Sequence, residues 1–169
     1  MRMLALVLSA ACVATAARGQ SSPQTLPKGN AADGAAIVAG KGKCQTCHRI
    51  GDTGSRLGPD LTDVGATRTI GQIQTSLLDP DVLILPEHRS YRIVTRDGAT
   101  VTGTLLNHDT FQVLMRDQKD QLRSFNKSEL REHGFVTGSP MPSYRSTLSD
   151  EELHDVIAYL LTLKGVAAE

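Results

Sequence analysis

The sequence contains no tryptophan, and only three tyrosines and three phenylalanines among 169 residues. It also lacks an excess of either charge. Lys and Arg number 18, Asp and Glu number 18, and the formal net charge is zero. A nucleic-acid binder usually carries a basic excess or patch, so that class is argued against. No apolar run is long enough for a good membrane span. No nucleophile–base arrangement, phosphate loop or paired-carboxylate site stands out, so the residues do not read as an enzyme. Cysteine is scarce, at positions 12, 44 and 47 only. The chain length suits one domain, or one domain with an insert.

The N-terminus reads as an export signal over 1–19. Arg2 gives the positive start, Met3 to Leu8 and an Ala-rich run to Ala17 give the apolar stretch, and Ala14 or Ala17 opens a plausible cleavage end. The alternative is a buried N-terminal helix. Cys12 follows Ser9-Ala10-Ala11, where a lipoprotein box would place a larger aliphatic residue. It is therefore read as leaving with the signal rather than as a lipid anchor. Loss of Arg2 and Arg18 leaves the remainder mildly acidic. Residues 20–29, with Pro23 and Pro27, form a flexible leader.

Cys44-Gln45-Thr46-Cys47-His48 carries the most chemistry. C-x-x-C-H is the spacing of a c-type haem attachment site. Two thiols three positions apart can each form a thioether to a haem vinyl group, and the adjacent imidazole can ligate the iron. The rival reading is half of a zinc site, which needs a second ligand pair at similar spacing. No cysteine follows position 47.

Three helices are legible. One spans about 31–39, capped by Asn30, with Asp33 near its positive end and Ile37 and Val38 as its apolar contribution. A second spans 70–78, where Thr69 and Gln72 have capping-box spacing and Pro80 stops the run. In the last, Leu153, Val156, Ile157, Leu160 and Leu161 form one stripe behind Ser149 and Glu152. The acidic run 150–152 is explained by that helix N-terminus. Between the second and last helices the period changes to two. Strands are expected over 91–96, 99–106, 110–116 and 121–125, with Asp97-Gly98 as a hairpin turn. A helical turn near 128–131 and a short strand at 135–136 follow. Met115 falls on a strand as core. The set suggests a small antiparallel sheet or an SH3/Sm-like barrel.

Haem iron bound by one His needs a second axial donor or an open site. Pro140-Met141-Pro142 supplies a thioether on a stiff, extended segment, because Ser139 and Met141 each precede a proline. A methionine there can also be plain core filler. His88 and His133 are the better rivals among the other histidines; His108 and His154 read as surface residues. Arg68 and Tyr91 suit the propionate carboxylates, against the plainer readings of a solvated arginine and a core tyrosine. Lys41, Lys43, Arg49 and Arg56 surround the motif in sequence. They either steer an acidic partner or form a solvated face.

The order of short helix, Cys44-x-x-Cys47-His48, Gly58-Pro59-Asp60-Leu61, mid helix, Pro140-Met141-Pro142 and last helix resembles a class I cytochrome c. The resemblance covers about 30–85 and 137–165. With the β segment it is similar to a putative haem-binding C-x-x-C-H family common in planctomycetes. It implies a mostly α cytochrome c fold, discontinuous over 30–85 and 137–165, with 86–136 inserted as a small antiparallel β domain and 166–169 as a tail. It implies one covalently attached haem c, ligated by His48 and Met141. The Pro59 carbonyl would accept from the imidazole, and Leu61 would pack on the His48 side. The terminal helices would cross near Tyr159, with Ile37 or Val38 in place of the usual aromatic. The implied function is an exported, periplasmic electron carrier that is not an enzyme and serves redox proteins such as a dehydrogenase or an oxidase. The alternative is a haem-based sensor, or a partner-docking module that uses the β segment. Peroxidase activity would need an open distal site and a nearby acid–base residue, and none is placed.

Overall fold

The structure is a computed structural model and describes residues 28–82 and 84–165. The expected export signal, Cys12, the leader up to residue 27 and the tail at 166–169 lie outside the described residues.

Helix α1 spans Ala31–Ala39, and the Asn30 side chain accepts from the Ala32 amide at 2.9 Å. A 3-10 turn follows at Cys44–Thr46. Strands β1 (Arg49–Ile50) and β2 (Thr53–Gly54) make a two-stranded ribbon, and helix α2 (Val64–Thr67) is a single turn. Helix α3 spans Ile70–Leu78 behind a reciprocal Thr69/Gln72 capping box. Strands β3 (Ser90–Thr95), β4 (Thr100–His108), β5 (Gln112–Asp117), β6 (Leu122–Asn126) and β7 (Leu130–Phe135) form one sheet in the order β6-β5-β4-β3-β7. Every neighbouring pair in it is antiparallel. Helix α4 spans Asp150–Thr162 behind the Ser149/Glu152 box. Among the described residues no helix is long and apolar enough to cross a membrane.

The mostly α cytochrome c fold expected from the sequence is not what forms. Among the described residues the dominant element is the five-stranded antiparallel sheet, alongside a two-stranded ribbon and four α-helices. The physical reason lies in element length. The caps mark three helices clearly, but α1 and α3 have nine residues each and α2 has four. Long stretches between them are held as loops. The β segment, in contrast, is strand almost throughout, and β4 alone has nine residues. The sheet does not close as a barrel either: β6 and β7 are its edges.

Each half has its own apolar cluster. Tyr91, Ile93, Val113 and Met115 are buried in the sheet. The Asp97-Gly98 turn forms as expected, with Gly98 at φ 91°, a value open to glycine at no steric cost. The last strand is longer than the two residues expected. It covers 130–135, because β3 offers it a full antiparallel partner from Tyr91 to Thr95. The helical cluster gathers Val38, Ile73, Leu77, Tyr144, Val156 and Ile157, among others.

Helices α1 and α4 meet backbone to backbone. A Cβ added at Gly34 would lie 2.0 Å from the Asp155 carbonyl oxygen and 2.9 Å from the Tyr159 Cβ. The Asn30 amide donates to the buried Asp155 carboxylate at 2.6 Å and fixes the crossing. The resemblance to class I cytochromes c implies Ile37 or Val38 at this contact. Val38 is indeed buried, but the close approach depends on the absence of a side chain at Gly34. One hydrogen bond ties the sheet to the loop after the ribbon, from Thr104 Oγ1 to the Leu57 carbonyl at 3.2 Å.

Two predictions test this account. Helix propensity favours alanine over glycine by about 0.5–1 kcal/mol, whereas overpacking typically costs about 1–3 kcal/mol. At Gly34 the obstacle is backbone, so the second effect wins. Gly34→Ala should destabilise by about 2 kcal/mol, read as a lower denaturant midpoint at unchanged m-value. The second concerns Asp117 at the β5–β6 turn. Its carboxylate accepts from the Gln121 and Lys119 amides at 3.0 and 2.9 Å and from Arg123 at 3.3 Å. These bonds, that from Gln121 foremost, hold the carboxyl below its usual 3.8. A depressed carboxyl stabilises the fold fully above pH 3.8 and loses that contribution as pH falls through its folded value. Acid titration of stability should therefore be shallower in Asp117→Asn than in the unaltered protein.

Candidate functional site

The thiol pair sits on a tightly pinned turn. Gly40 ends α1, and the Gly42 amide bonds the Ile37 carbonyl at 2.8 Å. Lys43 adopts the left-handed conformation at φ 51°, rare for a residue with a side chain, and so turns the chain into Cys44. The Thr46 hydroxyl donates to the Lys43 carbonyl at 2.7 Å, and the His48 amide donates to the Cys44 carbonyl at 2.9 Å. Beyond the motif, the Gly58 amide returns to the Cys47 carbonyl at 2.7 Å, and the Leu61 amide to the Arg49 carbonyl at 2.8 Å. The loop over 55–61 is thereby laid along the motif.

Both thiols are free. Cys47 is exposed, whereas Cys44 is half-buried and packs against the helical cluster. Burial pushes the Cys44 thiol up, and its hydrogen bond with the Tyr144 hydroxyl opposes this.

The His48 ring has one fixed nitrogen. Nδ1 lies 2.8 Å from the Pro59 carbonyl oxygen. A carbonyl can only accept, so Nδ1 carries the proton and Nε2 keeps its lone pair. Burial lowers the imidazole pKa; the Pro59 bond opposes that, and the charge of His88 adds to it. The neutral, ligand-competent ring is thus favoured. Gly58 is required for the ring's position, since a Cβ there would lie 2.8–2.9 Å from two ring atoms.

Met141 is tied to the end of α3. The Ser139 amide donates to Asp81 Oδ1 at 2.6 Å, and the Met141 amide donates to Ser139 Oγ at 3.1 Å. Ser143 Oγ donates to the Leu78 carbonyl at 2.6 Å, the Tyr144 amide donates to the Leu77 carbonyl at 2.9 Å, and Arg145 pairs with Asp79. Met115 is completely buried in the sheet, as read from the sequence. Met141 is only half-buried and lines an open groove of about 320 Å³ with Leu78, Pro80 and Val82.

Cys44, Leu61 and Met141 pack against the same helical cluster. Arg68 is the C-cap of α2 and half-buried. Tyr91 belongs to the other half. It is buried in the sheet, edge-on to Phe135, with its hydroxyl 2.7 Å from His133 Nδ1. Lys41 pairs with Glu152 and Arg49 with Asp52, while Lys43 and Arg56 are exposed.

The zinc alternative finds no support in the geometry. Among the described residues, no three His, Cys, Asp or Glu side chains converge to hold a metal ion. The donors do fit haem c: two reduced thiols, one imidazole with a directed lone pair, and a half-exposed thioether on an anchored segment. Sequence reasoning missed Tyr144, which is buried and donates to the Gly42 carbonyl at 2.7 Å. The available signal was a lone aromatic in the polar run 143–147, three residues after Met141. No protein-family model matches the chain, and no curated protein matches it.

Proposed function

We propose that this protein is an exported monohaem c-type cytochrome that carries single electrons between redox proteins. The observation that carries the reading is the bond from His48 Nδ1 to the Pro59 carbonyl, inside a C-x-x-C-H turn with both thiols free. Such a bond fixes the tautomer and raises the basicity of a ligating imidazole. Haem c, when bound, supplies a one-electron iron couple whose potential its axial ligands set.

The residues of the chain divide the remaining work. Cys44 and Cys47 would tether the group, His48 would donate through Nε2, and Met141 would offer a thioether as a second protein ligand. Leu61 excludes water from the His48 side. Arg68 is the donor for a propionate. Tyr91 is the weaker candidate for that role, because its hydroxyl already meets His133. With an imidazole and a thioether both engaged, such a site would transfer electrons and hold no substrate. The exposed Lys43 and Arg56 beside the motif suit an acidic face on a partner such as a periplasmic dehydrogenase or an oxidase.

A second reading, a haem-based sensor, draws on the open groove beside Met141. If the thioether leaves, a small ligand gains access. Carbon monoxide separates the two: an unchanged reduced spectrum supports the carrier, and rapid binding supports the sensor.

Expression in a host competent for cytochrome maturation tests the whole proposal. The chain should emerge coloured and heavier by one haem; a colourless chain of bare polypeptide mass rejects the proposal. Met141→Ala should lose the methionine–iron charge-transfer band and shift the midpoint potential downward. Survival of the band removes Met141 from the ligand set.

A further inference from the structure

The segment that carries Met141 and the turn that carries Cys44 are distant in sequence, yet one side chain touches both. Tyr144 lies three residues after Met141. Its amide is bound to the Leu77 carbonyl at 2.9 Å, which fixes the base of the segment on α3. Its ring is buried in the helical cluster. Its hydroxyl crosses that cluster, donates to the Gly42 carbonyl at 2.7 Å and lies 4.0 Å from the Cys44 sulfur. Gly42 is itself held by the Ile37 carbonyl at 2.8 Å, and a Cβ at Gly42 would sit 3.2 Å from the same sulfur. The hydroxyl therefore ends on the residue that aims the first thiol.

We propose that Tyr144 is a positioning residue that couples the methionine segment to the attachment turn, so that the thioether donor and the first thiol are located by one rigid link. This rests on the haem reading above for its purpose, but not for its geometry. The ring alone would fill the cluster, and a phenylalanine would do that as well. The hydroxyl is what the proposal uses. Without it the Gly42 carbonyl loses its buried donor, and the two segments are left joined only through apolar packing, which has no direction.

The test uses Tyr144→Phe in the full chain, with two readouts. The first is amide hydrogen exchange. Loss of one buried hydrogen bond should speed exchange roughly five-fold at Gly42 and His48 and also at Ser139 and Met141. The sheet amides of Tyr91–Val94 and Val113–Arg116 should keep their rates. An equal rise through α1, α4 and the sheet would mean a general loss of stability and would overturn the coupling, as would no rise, or a rise in only one of the two segments. The second readout is the methionine–iron band of the haem-loaded protein during heating. In Tyr144→Phe the band should bleach well before the helical circular dichroism melts, whereas in the unaltered protein the two losses should be closer together. Bleaching and melting that move by the same amount would overturn the proposal. Absence of the band from the unaltered protein would count against the ligand assignment instead, and the exchange pattern would then decide the coupling alone. If Tyr144→Phe does not fold, exchange in the unaltered protein decides instead: the Gly42, His48, Ser139 and Met141 amides should open together at one common free energy, and opening of the two segments at unrelated free energies would overturn the coupling.

Discussion

The bond between the His48 imidazole and the Pro59 carbonyl fixes the centre of this molecule. It needs the loop over 55–61 to lie flat against the ring, and that needs glycine at position 58. The loop in turn is held by its amides to the Cys47 and Arg49 carbonyls. The same loop offers the Leu57 carbonyl to Thr104 of the sheet. One ring orientation thus depends on a chain of contacts that starts in the turn over 44–48 and ends at the Thr104 hydroxyl of strand β4. A side chain held this way loses little freedom when it acquires a ligand, because the entropy of orienting it was lost on folding.

The second constraint is that most of the chemistry sits on irregular backbone. Residues 40–63 and 136–149 contain little regular structure, and such loops need side-chain bonds to hold one shape. The chain meets the requirement with short polar side chains, namely Ser139, Ser143, Thr46 and Asp81, each of which closes a bond to nearby main chain. The helices contribute a fixed floor. The α1–α4 crossing, allowed by Gly34, places the start of the turn over 44–48, and the end of α3 places the methionine segment.

Local signals were legible in the sequence and distant ones were not. The three capped helices and the Asp97-Gly98 hairpin rest on neighbours within a few residues, and they form as read. The ribbon at 49–54 and the single turn of α2 are too short for any periodicity to show. The weight of the strands is not a local signal: in sequence the β segment reads as an insertion in a helical body, whereas its strands form the largest assembly among the described residues. At the site, Cys44, Cys47 and His48 are contiguous and could be found together. Pro59 came from a resemblance, not from spacing. Tyr144 meets Gly42 across 102 positions, and no local pattern announces such a contact.

The open sheet has a consequence for how the molecule behaves among its own kind. Its edge strand β7 presents Arg131, Glu132 and His133, all exposed, on a margin that no further strand covers among the described residues. Another strand that approached this margin would have to strip water from the Arg131 and Glu132 charges before forming its ladder, and that cost discourages fibre growth. The opposite margin, β6, is only five residues long and carries Arg123. The sheet margins would in this way resist edge-to-edge pairing without closing the sheet into a cylinder.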